Sequence, residues 1–216
     1  MIVSVEIGGL KFFHRDDSND EGIIRSVLEH NGCGFPEYMH GWNVIDIGSH
    51  VGASVIQAAQ RGARVWAFEP SAESYALLVR NIAENKMRSR ITPFPLGVGE
   101  AGIHKLYLHL YNLGMHSLYQ NIYDDLSNTF EVVHLFSLAQ VFGVCGVLHC
   151  DLLKLDCEGC ERTVVNQIIE DPSRIQRIQM ELHHEATEKQ YTLSLLEPYY
   201  TITPHDHYFS LELKHA

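Results

Sequence analysis

Val44-Ile45-Asp46-Ile47-Gly48-Ser49-His50-Val51-Gly52 and, after one short helix's length of residues, Val65-Trp66-Ala67-Phe68-Glu69-Pro70 decide how this chain folds. Each opens as a short apolar run of strand length and breaks on a residue suited to a turn. The intervening residues 51–62 are small and apolar, stop at Gly62, and read as a helix. Two buried strands joined by a helix require a crossover, so the sheet is parallel and covered on both faces. In such sheets ligands lie beyond the carboxyl ends of the strands. Gly48 lets the backbone turn sharply there, and Gly52 lets the helix pack closely on its strand. The helix N-terminus suits a carboxylate, and Asp46 can balance an ammonium group. Glu69 follows Gly48 by 21 positions, the spacing at which an acidic residue holds a ribose diol. Residues 44–70 therefore predict a nucleoside cofactor.

Outward from this segment the strand–helix rhythm continues. Residues 71–86 predict a helix with Ser71 as its cap. Residues 91–99 form a third strand whose prolines place it near a sheet edge, with Pro95, Leu96 and Gly97 as a wall for a base. Strand-like runs at 103–110 and 130–136 flank a loop over 114–128, within a middle region (100–142) that gives the weakest pattern. A strand at 152–157, a helix at 161–170, a strand at 174–182 and a helix over 184–196 follow, and residues 199–213 read as an antiparallel hairpin. Ahead of the core, residues 3–14 form a hairpin around Gly8-Gly9, and residues 16–33 a helix stopped at Gly32. One domain over 1–216 accommodates all of this, with 1–42 as a leading hairpin and helix and 43–216 as the cofactor-binding core.

Two further acids, with a neighbouring lysine, and a histidine carry candidate chemistry. Lys154, Asp156 and Glu158 alternate, so they share one face at the carboxyl edge, over the same crevice as Gly48 and Glu69. His183 has the parity of Glu181 at the end of the next strand and suits a general base near neutral pH. Cys157 and Cys160 form a CxxC with no second pair to complete a zinc site, and are read as structural cysteines, as Cys33, Cys145 and Cys150 are read as small apolar residues. The acids suffice for a metal, but no ligand spacing demands one, so no metal site is assigned.

Composition narrows the partners. Hydrophobic residues make up 45% of the 216 positions, and the net charge is −11 with 14 histidines neutral. That balance argues against a broad grip on nucleic acid or an anionic membrane. No apolar run approaches a bilayer span, no signal-peptide pattern opens the chain, and five cysteines suggest reduced thiols, so a cytoplasmic protein is expected. A homo-oligomer is compatible with the sequence.

The segments VIDIGSHVG, VWAFEPSAESYALLVRNI, LLKLDCEGCE and IQMELHHE, in this order, resemble the FkbM-type methyltransferases over roughly residues 5–185. The resemblance implies a class I, Rossmann-like α/β fold: a three-layer sandwich whose seven-stranded, mostly parallel sheet ends in a reversed hairpin. It implies S-adenosylmethionine as cofactor and a hydroxyl of a sugar, polyketide or similar small molecule as acceptor. By position, Asp46, Gly48, Ser49 and Gly52 would contact the methionine part, with His50 standing where the family has Asn. Glu69 and Pro70 would hold the ribose, Leu96 and Gly97 the base, and Asp156 would lie near the methyl. Asp156, Glu158 and His183 are the candidates for removing the acceptor's proton. Two alternatives share these features: a nicotinamide-dependent oxidoreductase and a non-catalytic binding module. Against the first, GxxxG stands in place of GxGxxG.

Overall fold

A computed structural model describes residues 1–109, 116–119, 126–183 and 185–214. The chain opens with strands β1 (Ile2–Ile7) and β2 (Leu10–Arg15), an antiparallel pair turned by Gly8 and Gly9, and helix α1 (Asp20–His30). There follow β3 (Asn43–Ile47), α2 (Ala53–Gln60), β4 (Arg64–Phe68), α3 (Ala72–Glu84) and β5 (Ile91–Phe94). The second half holds β6 (Gly97–Val98), β7 (Gly102–His109), β8 (Leu126–Phe136), α4 (Leu138–Cys145), β9 (Leu152–Leu155) and α5 (Glu161–Ile168). It closes with β10 (Arg177–Met180), α6 (Ala186–Leu196), β11 (Tyr200–Pro204) and β12 (Phe209–Leu213).

Seven strands make the central sheet in the order β11-β12-β10-β9-β3-β4-β5. From β10 to β5 all neighbours are parallel, while β12 runs antiparallel to both β10 and β11. Strand β5, which contains Pro93 and is followed at once by Pro95, is the sheet edge, where the N–H group that proline lacks is least missed. Chain order reverses beside β3, and such reversals are where open α/β sheets hold ligands.

Strict alternation sorts the core. Ile45, Ile47, Trp66, Phe68, Leu153 and Leu155 pack on the α4–α5 side of the sheet. Val44, Val65, Ala67 and Leu152 pack on the other, with α1, α2, α3 and the opening hairpin. Each of the larger side chains is withdrawn from water, worth about 1.5–3 kcal/mol apiece. A three-stranded sheet, β6-β8-β7, stands apart from the main one and turns Leu106, Val133 and Leu135 inward.

Four local expectations are corrected. Helix α4 lies in the region that gave the weakest pattern; Ser137 and Gln140 form a reciprocal capping box at its start, and Gly146 ends it in the left-handed conformation. Helix α1 is stopped by Asn31 in that conformation, one residue before Gly32. Ser71 occupies the N-cap position of α3 but its side chain makes no capping bond. The five cysteines are not all thiols, because Cys157 and Cys160 are joined in a disulfide and only Cys33, Cys145 and Cys150 are free. Helix α6 begins at Ala186; His184 lies outside the described residues, as does most of the loop expected over 114–128. No helix among the described residues is long and apolar enough to cross a membrane.

Candidate functional site

The turn after β3 is built backbone to backbone. Gly48, at φ +84°, and Ser49 both donate their N–H groups to the Phe68 carbonyl, at 3.0 and 3.1 Å. A Cβ on Gly48 would overlap the Asp156 carbonyl oxygen, so the loops after β3 and β9 touch through the missing side chain. Lys154 ties them together: its Nζ donates to the Gly48 carbonyl at 2.9 Å and lies 3.2 Å from Asp156 Oδ2 and 3.7 Å from Asp46 Oδ1.

Asp46 does not face the crevice. It is wholly buried beneath the turn, accepting the hydroxyls of Ser49 at 2.9 Å and Ser54 at 2.7 Å. Burial raises its pKa, opposed by Lys154 and the two hydroxyls. Asp46 and Ser49 therefore brace the turn from below, and neither side chain lines the cavity as the structure stands. Gly52 serves close packing at the start of α2, where a Cβ would press on Leu78 of α3, and it does not line the cavity. Leu96 joins the α4–α5 core instead of the crevice.

Glu69 is buried and aimed. Its Oε2 accepts the His50 backbone N–H at 2.8 Å and its Oε1 accepts the Ser71 N–H at 2.9 Å. Burial pushes its pKa up, and the neighbouring His50 with these backbone bonds opposes the rise. Each oxygen keeps lone pairs for a ligand.

His50 itself sits at φ +48°, a left-handed position that His, Asn and Asp tolerate better than most side chains. Its Nε2 lies 2.8 Å from Arg15 Nη2 and 3.1 Å from Asp20 Oδ1. Arg15 grips Asp20 with two guanidinium bonds of 2.8 and 2.9 Å, and both are almost fully buried. The leading hairpin and α1 are thus fastened to the turn by charge as well as by packing. Burial would raise the Asp20 pKa, but hydrogen bonds from His50 and Arg15 hold it well below the usual range. A carboxylate whose pKa is lower folded than unfolded contributes stability above its unfolded pKa and loses it as pH falls. Urea unfolding should show wild type and Asp20→Asn well apart near neutrality and converging below about pH 4; a constant gap would refute this account.

At the other end of the crevice, four carboxylates surround His183. Glu161 Oε1 accepts from Nδ1 at 2.9 Å, while Nε2 lies 3.8 Å from Asp156, 3.5 Å from Glu158 and 3.5 Å from Glu181. Burial would lower the ring's pKa, but the bonds to Glu161 and Glu181 and the charges of Glu158 and Asp156 raise it to about 11. In this arrangement the ring is a cation at neutral pH, with both nitrogens protonated. Asp156, Glu158 and His183 each present a donor atom within 4.8 Å of the others, a spacing that also suits one divalent cation.

These groups line one cavity of about 400 Å³ at the carboxyl edge of the sheet. Gly48, His50, Glu69, Pro70, Gly97, Asp156, Glu158 and His183 line it; Asp46, Ser49, Gly52 and Leu96 do not. Sequence reading missed the rest of the wall. Ile23, Ser26 and Val27 of α1 close one side, and Leu106, Leu118, Leu135 and His116 another. The apolar stripe of α1 was visible, but it splits: Ile24 and Val27 are buried while Ile23 stays half-open to the cavity. Burial, with Arg15, His50 and His109 nearby, lowers the His116 pKa to about 4, so it is neutral.

Residues 46–210 match the family described as the methyltransferase FkbM domain. Among solved structures, the chain resembles a precorrin-6y C5,15-methyltransferase from Geobacter metallireducens at a TM-score of 0.50 and 11% identity, over 88% of each chain. It also resembles M. capricolum TrmK in complex with S-adenosyl-homocysteine, at a TM-score of 0.46 and 14% identity, over 86% of this chain and 66% of that one. The fold is that of the class I methyltransferases. No curated protein matches the chain significantly.

Proposed function

Because the chain belongs to the FkbM methyltransferase domain family, we propose that it transfers a methyl group from S-adenosylmethionine to a hydroxyl of a small metabolite, sugar or polyketide-like acceptor, working as one domain over residues 1–216. The observation that carries this reading is Glu69. It is a buried carboxylate at a strand end, fixed by two backbone N–H groups, lining the cavity, with lone pairs free for the two hydroxyls of a ribose. Gly97 and Pro70 stand beside it for the base, and Gly48 lets the loop of Asp156 pack against the turn. The sulfonium of the cofactor supplies the activated methyl, so the chain's task is alignment and proton removal.

Proton removal falls to the carboxylates. Asp156 and Glu158 line the cavity on one short loop, and lie 3.8 and 3.5 Å from Nε2 of the His183 ring. An alcohol needs its proton taken as the new bond forms, and a positioned carboxylate can accept it. No Lys or Arg side chain lines the cavity among the described residues, which suits a neutral acceptor better than an anionic one.

Calorimetric titration with S-adenosylhomocysteine tests the reading. Wild type should bind it, and Glu69→Gln should bind about a hundredfold more weakly, two charged hydrogen bonds being weakened. Binding of NADH with none of S-adenosylhomocysteine would sink the reading and favour an oxidoreductase. Binding of neither would favour a non-catalytic module.

A further inference from the structure

Glu161 opens α5, is fully buried and does not line the cavity. Its carboxylate nevertheless reaches both halves of the catalytic end. Oε2 accepts the Gly159 N–H at 2.9 Å, and Oε1 accepts the Cys157 N–H at 3.3 Å and meets His183 Nδ1 at 2.9 Å. A carboxylate can only accept, so Nδ1 carries the proton at that contact and Nε2 is turned toward Asp156, Glu158 and Glu181. The loop it holds is costly to hold otherwise. Glu158 at φ +55° and Gly159 at φ +114° both lie in the left-handed region, where a side-chain-bearing residue persists only with outside support.

We propose that Glu161 is a positioning residue for methyl transfer: one buried carboxylate sets both the loop carrying Asp156 and Glu158 and the ring orientation of His183. The proposal rests on the methyl-transfer reading above. It goes beyond the ordinary account of such a residue, an acid in the first turn favoured by the helix dipole. A dipole role would need only negative charge; this role needs two acceptor oxygens at fixed places. Glu161→Gln keeps the shape and one acceptor but turns the other into an amide NH₂ that faces N–H donors.

The experiment uses the whole chain labelled with ¹⁵N. Ring ¹H–¹⁵N spectra are assigned for His183 through His183→Gln, and the probe ligand is S-adenosylhomocysteine. Wild type should show a protonated, hydrogen-bonded Nδ1 at His183. Glu161→Gln should lose that signal or move it, while S-adenosylhomocysteine still binds, because Gly48 and Glu69 are untouched. An unprotonated Nδ1 in wild type, or an unchanged His183 signal in Glu161→Gln, overturns the proposal. If Glu161→Gln does not fold, the wild-type spectrum decides alone. Failure of the underlying reading is separate: it appears as wild type that does not bind S-adenosylhomocysteine at all.

Discussion

Arg15→Ala should unfold at a temperature lower by roughly 10 °C or more, with a loss of about 3–5 kcal/mol. The substitution leaves the Asp20 carboxylate buried, 1% exposed, without the guanidinium that grips it at 2.8 and 2.9 Å. An uncompensated buried charge is among the most damaging changes a fold can suffer, and the loss is a large share of the roughly 5–15 kcal/mol that holds a domain folded. Its counterpart is the double variant Arg15→Met with Asp20→Leu, which removes both charges and should recover most of the stability. Urea unfolding of the three proteins checks this. A single variant within about 1 kcal/mol of wild type would show that the pair does not hold the hairpin to the turn.

The second large effect belongs to Gly48. Gly48→Ala places a Cβ on the Asp156 backbone carbonyl in a residue at φ +84°. The conformational penalty is about 1–2 kcal/mol, and overpacking against backbone adds a similar or larger cost. Since Asp156 begins the loop that carries Glu158, and both line the cavity, relief of the overlap displaces the cavity floor. Calorimetry should find S-adenosylhomocysteine binding weakened by a hundredfold or more, about 3 kcal/mol. Gly143→Ala is the control: nothing lies within 4 Å of its Cβ and its φ is ordinary for a helix, so binding and stability should be unchanged or slightly improved. Undiminished binding by Gly48→Ala would mean the two loops do not meet as described.

The parts legible in the sequence are those with local causes. Strands β3 and β4 announce themselves through short apolar runs, and Gly48 and Glu69 through the turn and the strand end they make. The terminal hairpin followed from two β-rich runs around Pro204. The burial of Asp46 is legible in its parity. It alternates with Ile45 and Ile47 and shares the face of Val44, under the turn. Helix α4 carried its own start signal in Ser137-x-x-Gln140, hidden because its interior is almost wholly apolar and a short apolar run suits strand as well as helix. The α1 and β7–β8 walls of the cavity could not be read at all, since packing between elements distant in the chain brings them there. Nor could the His183 charge: alternation set the side chain on the right edge, but only the convergence of Asp156, Glu158 and Glu161 from the β9–α5 connection with Glu181 decides whether the ring holds its proton.

The matched family segment begins at Asp46, yet Arg15 and Asp20 reach His50 and α1 walls the cavity from outside that segment. Ligand affinity and attachment of the leading hairpin are therefore one coupled free energy, each strengthening the other by the same factor. The recognisable core is consequently not a transplantable part. Moved into another chain without its first 42 residues, it would keep its signature and forfeit a wall of its binding site.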